Sequence, residues 1–202
     1  MSKFCDEVVK EFDEIPEVRQ TDLLKLTQYI RSKFDNDEIP KLIVICTHNS
    51  RRSHLGQVWL SVAVRYFGLP NIQTFSGGTE ATAFNTRAVA ALKNVGFEIT
   101  DTGRGSSNPT YFIKYDQKTP AYQAFSKKYD SSPNPREGFA AIMVCSEADQ
   151  GCPVVTGADF RIFLPYDDPK AFDETDIESA KYAERCRQIA REMLFVTSKI
   201  YA

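Results

Sequence analysis

The chain has 202 residues, of which 42% are hydrophobic and 26% are charged. This composition is typical of a globular protein with a real apolar core, and it excludes disordered and fibrous chains. The formal net charge of -2 favours neither nucleic acid nor an anionic membrane surface as a partner.

Residues 1–7 are acidic and carry no apolar signal region, which predicts a cytoplasmic location. Apolar runs such as Leu42–Cys46 are far too short to span a bilayer. The chain has five cysteines, and an odd number without an export signal argues against a structural disulfide framework. Metal binding, redox chemistry, catalysis and packing remain as uses for them.

In chain order, the apolar pattern predicts a helical extension over residues 1–40, with Thr21 as a helix cap. Strands and helices then alternate over residues 41–202, which predicts one domain. The predicted strands are Leu42–Cys46, Ile72–Phe75, Ala140–Cys145 and Arg161–Leu164, and the predicted helices are Arg52–Phe67, Asn85–Asn94 and Asp173–Ile200. This alternation predicts a three-layer α/β fold, an open sheet of four parallel strands with helices on both faces.

Residues 100–137 interrupt this alternation and are treated as an insertion. They are rich in Gly, Pro, Ser and aromatic residues. Tyr111–Tyr115 is predicted as a short extra strand and Ala121–Lys128 as a short helix. Segments of this length in a compact domain are usually functional or mobile.

The loop after the first strand has the composition of an oxyanion site. It runs from Cys46 into a predicted helix and consists of Cys46, Thr47, His48, Asn49, Ser50, Arg51, Arg52 and Ser53. Free backbone N–H groups at a helix start can bind a tetrahedral anion, and Arg52 can grip two of its oxygens. The same positive potential favours a nucleophilic thiolate at Cys46, while Asn49 and Ser53 can brace the loop. The alternative is a buried cysteine at a strand end, with Arg52 on a helix face.

A second pair of cysteines, Cys145 and Cys152, follows another predicted buried strand. Because parallel strands open into one crevice at their carboxyl ends, Cys46 and Cys145 are expected to approach each other. Three such thiols can pass oxidation from a hidden site to an exposed one. Zinc binding and unrelated packing cysteines are the alternatives; zinc lacks partners, because the only histidines are His48 and His54.

An acidic segment, Tyr166-Asp167-Asp168-Pro169, follows the fourth predicted strand at the same sheet edge. An aspartate held by a following proline can act as general acid towards a leaving oxygen. Alone, the segment also fits an ordinary turn that leads into a helix.

Together these motifs resemble the low-molecular-weight protein tyrosine phosphatase superfamily, and within it the thioredoxin-coupled arsenate reductases. The resemblance covers about residues 41–99 and 138–200 and includes Phe75-Ser76-Gly77-Gly78. It implies a nucleophile at Cys46, an oxyanion clamp at Arg52 and a general acid at Asp168. It also implies relay thiols at Cys145 and Cys152. The chain departs from the family pattern at two places. One is Gln57, where relatives carry an acidic residue near a monovalent cation site, and the other is the insertion.

The resemblance implies two reactions. In the first, arsenate is reduced to arsenite through the three cysteines, with thioredoxin as the reductant. In the second, a phosphomonoester is hydrolysed through a cysteinyl-phosphate intermediate. Lys170 and Ala171 stand where tyrosine-specific members carry tyrosines, which favours the first reaction. A redox-sensing or anion-binding module is a third, non-enzymatic hypothesis. Neither a metal nor a cofactor is expected.

Overall fold

The computed structural model describes residues 2–69, 71–101, 105–116, 120–151 and 154–201. The helices are α1 (Ser2–Val8), α2 (Glu17–Asp35), α3 (Arg52–Tyr66), α4 (Thr86–Asn94), α5 (Ser146–Gly151) and α6 (Glu178–Ser198). The strands are β1 (Lys41–Cys46), β2 (Gln73–Gly78), β3 (Glu98–Asp101), β4 (Tyr111–Lys114), β5 (Tyr122–Ala124), β6 (Phe139–Met143) and β7 (Ala158–Phe163). Short 3-10 helices occupy Val9–Glu14 and Pro169–Phe172.

The central sheet has four parallel strands in the order β2-β1-β6-β7 and is flanked by helices. This confirms the fold class predicted from the sequence. The apolar run Leu42–Cys46 is buried along its whole length, because strands lie on both sides of it and helices cover it. The predicted strands and helices of this sheet all occur, with ends shifted by a few residues.

One aromatic side chain, Trp59 of α3, shows how the N-terminal residues join the core. It is fully buried and stacks on Phe4 of α1, with 5.2 Å between ring centroids. Phe97 meets the same indole edge-on at 5.3 Å. The indole N–H donates to the Sγ atom of Cys186 on α6 at 3.3 Å. The extension therefore packs on the same helices that support the sheet.

The helix of the extension begins earlier than predicted. Glu17 is its first residue, and Thr21 lies inside it with its hydroxyl donating to the Glu17 carbonyl. The prediction of Thr21 as a cap is therefore wrong. Proline at position 16 fixes the backbone before the helix, so the chain turns helical one turn sooner.

The insertion forms a second, antiparallel sheet in the order β3-β4-β5. The extra strand predicted near Tyr111 is confirmed, as β4. The helix predicted over Ala121–Lys128 is wrong, because part of that segment is β5 and pairs with β4. Gln123 of β5 is exposed between its more buried neighbours Tyr122 and Ala124, and this two-residue period suits a strand at the side of β4. Within the described residues, no helix is long and apolar enough to cross a membrane.

Candidate active site

Cys46 is the last residue of β1, and the loop after it leads directly into α3. Cys46 as a whole residue is 4% exposed. Residues 47–51 form bends without regular structure, and the amide of Leu55 makes the first helical hydrogen bond, to the Arg51 carbonyl. The amides ahead of it have no partner within the helix, so the positive end of the α3 dipole faces the loop.

Asn49 and Ser53 connect the loop to the thiol. The Ser53 Oγ atom lies 3.1 Å from the Cys46 Sγ atom, and the Asn49 amide donates to the same oxygen at 2.8 Å. Asn49 has a φ of 45°, in the left-handed region that asparagine tolerates better than most residues. This backbone turn and the two contacts hold the loop around Cys46.

Gly78 is required where β2 passes the loop. A Cβ atom there would lie 2.6 Å from the Thr47 carbonyl oxygen and 2.7 Å from the Asn49 nitrogen. Both are backbone atoms that cannot move without reshaping the loop. Gly78 therefore lets β2 lie directly against the loop that follows Cys46.

Arg52 and Asp168 meet at the carboxyl edge of the sheet. The Nη2 atom of Arg52 donates to Asp168 Oδ2 at 2.7 Å, and Nη1 donates to the Tyr166 carbonyl at 3.0 Å. The buried Nε atom of Arg52 has no hydrogen-bond partner within the described part of the chain. Asp167 points elsewhere, with a side chain 97% exposed. Of the two adjacent aspartates, Asp168 is the one that contacts Arg52.

Cys145 lies just after β6 and next to the oxyanion loop. Its Sγ atom is 3.4 Å from the hydroxyl of Thr47, the residue that follows Cys46. Residues 146–151 form the helix α5, which starts directly after Cys145. Cys152 lies outside the described residues. The sheet therefore brings Cys145 beside the loop that follows Cys46, as the parallel topology predicted.

The insertion holds the loop from its other side, through residues that the sequence analysis did not identify. The amide of Lys127 donates to Asn49 Oδ1 at 2.9 Å, and the Ser126 hydroxyl donates to the His48 carbonyl at 3.0 Å. Both contacts join residues 78 positions apart, so no local sequence signal marks them. Gln57, the departure noted above, donates its amide to the Thr74 carbonyl at 3.1 Å.

Lys127 is buried, with 7% exposure, and burial lowers the pKa of its ammonium from 10.5 to about 8. Its Nζ atom lies over the ring of Phe125, 5.0 Å from the centroid. The folded state thus binds this proton more weakly than the unfolded state does, so the ammonium destabilises the fold below about pH 8. The lower pKa in the folded state reduces the free energy of unfolding by about 3 kcal/mol at pH 7. This loss of stability disappears as the pH rises towards 10.5.

Replacement of Lys127 with methionine should therefore stabilise the protein at pH 7, by up to about 3 kcal/mol. The gain over the wild type should shrink between pH 8 and pH 10, as the wild-type lysine loses its proton. Urea unfolding of both proteins at pH 7 and pH 10 measures this. Lys128→Met is the matched control, because Lys128 is exposed. A gain that is the same at both pH values would contradict the prediction.

The two remaining cysteines are packing residues. Burial raises the pKa of Cys186 to about 12 and that of Cys5 to about 11, so both remain neutral thiols. His54 is also a core residue: its ring stacks on Phe84 at 3.9 Å, and burial followed by nearby Lys127 lowers its pKa well below the ordinary value. All four described cysteines are free thiols.

Comparison with known proteins shows which proteins the chain resembles. No protein-family model matches the chain. An arsenate reductase of Brevibacillus brevis is 27% identical over 149 residues, which cover 69% of this chain and 91% of that protein. A low-molecular-weight phosphotyrosine phosphatase of Vibrio cholerae O395 superposes with a TM-score of 0.54 at 14% identity. The superposition covers 79% of this chain and 95% of the phosphatase chain.

A solved arsenate reductase of Archaeoglobus fulgidus superposes with a TM-score of 0.50 at 15% identity, over 78% of this chain and 99% of its own. Together the comparisons confirm the family resemblance that the sequence motifs carried.

Proposed function

We propose that this chain, an enzyme of the low-molecular-weight protein tyrosine phosphatase superfamily close to the arsenate reductases, reduces arsenate to arsenite. The observation that carries the proposal is the position of Cys145, whose sulfur contacts the nucleophile loop at Thr47. Reduction needs a second thiol within reach of the first, whereas ester hydrolysis does not. Cys145 is the thiol that we assign to this role.

In the first step, the Cys46 thiolate attacks arsenic and an oxygen of arsenate leaves. Arg52 and the loop amides neutralise the charge on the remaining oxygens. Asp168 protonates the leaving oxygen, so that it departs as water. Because Arg52 donates a hydrogen bond to Asp168, an incoming oxyanion must compete with this carboxylate for the guanidinium.

In the second step, the Cys145 thiolate attacks the Cys46 sulfur and forms a disulfide. The electron pair of the sulfur–arsenic bond passes to arsenic, which leaves as arsenite. Cys152 then attacks Cys145 and frees Cys46 as a thiolate. A dithiol protein of the thioredoxin class reduces the Cys145–Cys152 disulfide and closes the cycle. This exchange requires a reducing compartment, for which we propose the cytoplasm.

Phosphomonoester hydrolysis is the second candidate. It uses Cys46, Arg52 and Asp168 in the same roles, with water in place of Cys145 to release the phosphate. The contact between Arg52 and Asp168 supports it as well as it supports reduction. Under this function neither Cys145 nor Cys152 has a chemical task.

The deciding experiment measures the wild-type protein with arsenate, thioredoxin, thioredoxin reductase and NADPH, beside an assay with an aryl phosphate. Thioredoxin must be the sole thiol reductant, because small thiols attack an arsenic–sulfur adduct directly. Steady NADPH consumption that depends on arsenate and on thioredoxin is the expected result. Ester hydrolysis without any arsenate reduction would replace the first proposal with the second.

A further inference from the structure

Arg51 precedes Arg52 in the loop, but its side chain points to a different set of partners. Its Nε atom donates to the Tyr182 hydroxyl at 2.8 Å. Its Nη2 atom lies 3.5 Å from Asp173 Oδ2, and its Nε atom lies 3.9 Å from Asp168 Oδ1. All three partners belong to the chain that follows β7, and the Arg51 side chain is 12% exposed.

These partners are themselves held in place. The Tyr182 hydroxyl donates to Asp173 Oδ1 at 2.8 Å, and Arg87 of α4 lies 3.7 Å from the other oxygen of Asp173. Burial and then the Asp173 hydrogen bond raise the pKa of Tyr182 to about 12, so its hydroxyl stays a donor at neutral pH. Arg51 thus joins the start of α3 to a fixed point, Asp173, at the far end of the general-acid segment, residues 165–173.

Arg52 also holds this segment against the loop, through its hydrogen bonds to Asp168 and to the Tyr166 carbonyl. During the proposed reaction Arg52 must turn its donors to the oxyanion, and Asp168 must face the leaving oxygen. The hydrogen bond between Arg52 and Asp168 therefore weakens at the step in which Asp168 must be held over the leaving oxygen. Arg51 keeps its contacts with Tyr182 and Asp173, because neither partner has a task in the chemistry.

From this geometry we propose that Arg51 is a positioning residue, which holds the general-acid segment over the loop while an oxyanion occupies Arg52. The inference rests on one part of the proposed function, the role of Asp168 as general acid. Both candidate reactions use Asp168 in this role. It assigns to Arg51 a role other than direct contact with the anion.

The kinetic test compares Arg51→Met with wild type on aryl phosphates whose leaving groups differ in acidity. An ester with an activated leaving group, such as dinitrophenyl phosphate, expels its phenolate without a proton. Phenyl phosphate needs the acid, and a positioned general acid contributes about 100-fold to 10,000-fold. We expect Arg51→Met to lose about 30-fold or more on phenyl phosphate and several-fold less on the activated ester. An equal loss on both esters would overturn the proposal.

Two further variants complete the design. Arg51→Lys keeps the charge but cannot reach Tyr182 and Asp173 in the same forked manner, so it should fall between wild type and Arg51→Met. It also tests the proposal if Arg51→Met does not fold. Arg65→Met is the matched control, because Arg65 lies at the other end of α3 with a side chain 58% exposed.

Hydrogen exchange gives a reading that does not depend on activity. In Arg51→Met the amides of residues 166–173 should exchange faster than in wild type, while those of β1 and β6 should not change. Unchanged exchange in that segment would overturn the proposal. If the wild type neither reduces arsenate nor hydrolyses esters, the proposed function fails, and the exchange result alone decides whether Arg51 positions the segment.

Discussion

Cys46→Ser is expected to abolish arsenate reduction and aryl phosphate hydrolysis together, with losses of about 1,000-fold or more in each. A serine hydroxyl has no accessible ionised form near neutral pH, so the loop would hold an anion that nothing attacks. Steady-state turnover with each substrate measures the loss. An active Cys46→Ser protein would refute the nucleophile assignment and with it both candidate reactions.

The control for this variant is anion binding. The amides at the start of α3 and the Arg52 guanidinium remain in Cys46→Ser, so inorganic phosphate should still bind and raise the unfolding temperature. Cys5→Ser serves as a matched cysteine replacement. Cys5 is buried beside Val62 and Tyr66 near the far end of α3, so its loss should spare the chemistry.

Cys145→Ser is expected to separate the two reactions. It should stop thioredoxin-coupled arsenate turnover, because no thiol is then placed to attack the Cys46–arsenic adduct. Aryl phosphate hydrolysis should fall by no more than a few-fold, because water resolves that intermediate. Retained hydrolysis also shows that the variant folds, which matters because Cys145 is buried just after β6.

A companion variant, Cys152→Ser, tests the last thiol. It should allow at most about one arsenate turnover and leave a Cys46–Cys145 disulfide that thioredoxin cannot reach. Mass spectrometry of the non-reduced protein identifies that bond. Full thioredoxin-coupled turnover in both Cys145→Ser and Cys152→Ser would show that the relay is wrong.

Local sequence was sufficient for the elements that carry the loop. The β1–loop–α3 unit is continuous in sequence, and its apolar strand, polar loop and amphipathic helix each follow from nearest-neighbour preferences. The parallel topology follows in turn, because strands that alternate with helices have few other ways to bury both faces. That rule also predicted that Cys145 would lie near the loop.

Local preference failed where a distant partner decided the structure. Segment 121–128 has helix-compatible residues, but its pairing with β4 makes residues 122–124 a strand. Thr21 is a good cap by type, yet the helix had already begun after Pro16. In each case the local preference for one conformation over the other is a few tenths of a kcal/mol to about 1 kcal/mol. A packing contact easily outweighs a preference of that size.

The sequence by itself therefore determined the fold class, and it predicted the oxyanion-binding role of the loop and the candidate nucleophile, because these depend on residues close together in the chain. Only the tertiary structure decided that Asp168 is hydrogen-bonded to Arg52, and that Arg51 turns away towards Tyr182. It alone placed Ser126 and Lys127 behind the loop. These contacts join residues that the fold brings together from 78 to 131 positions apart, and side-chain direction at such distances is set by packing.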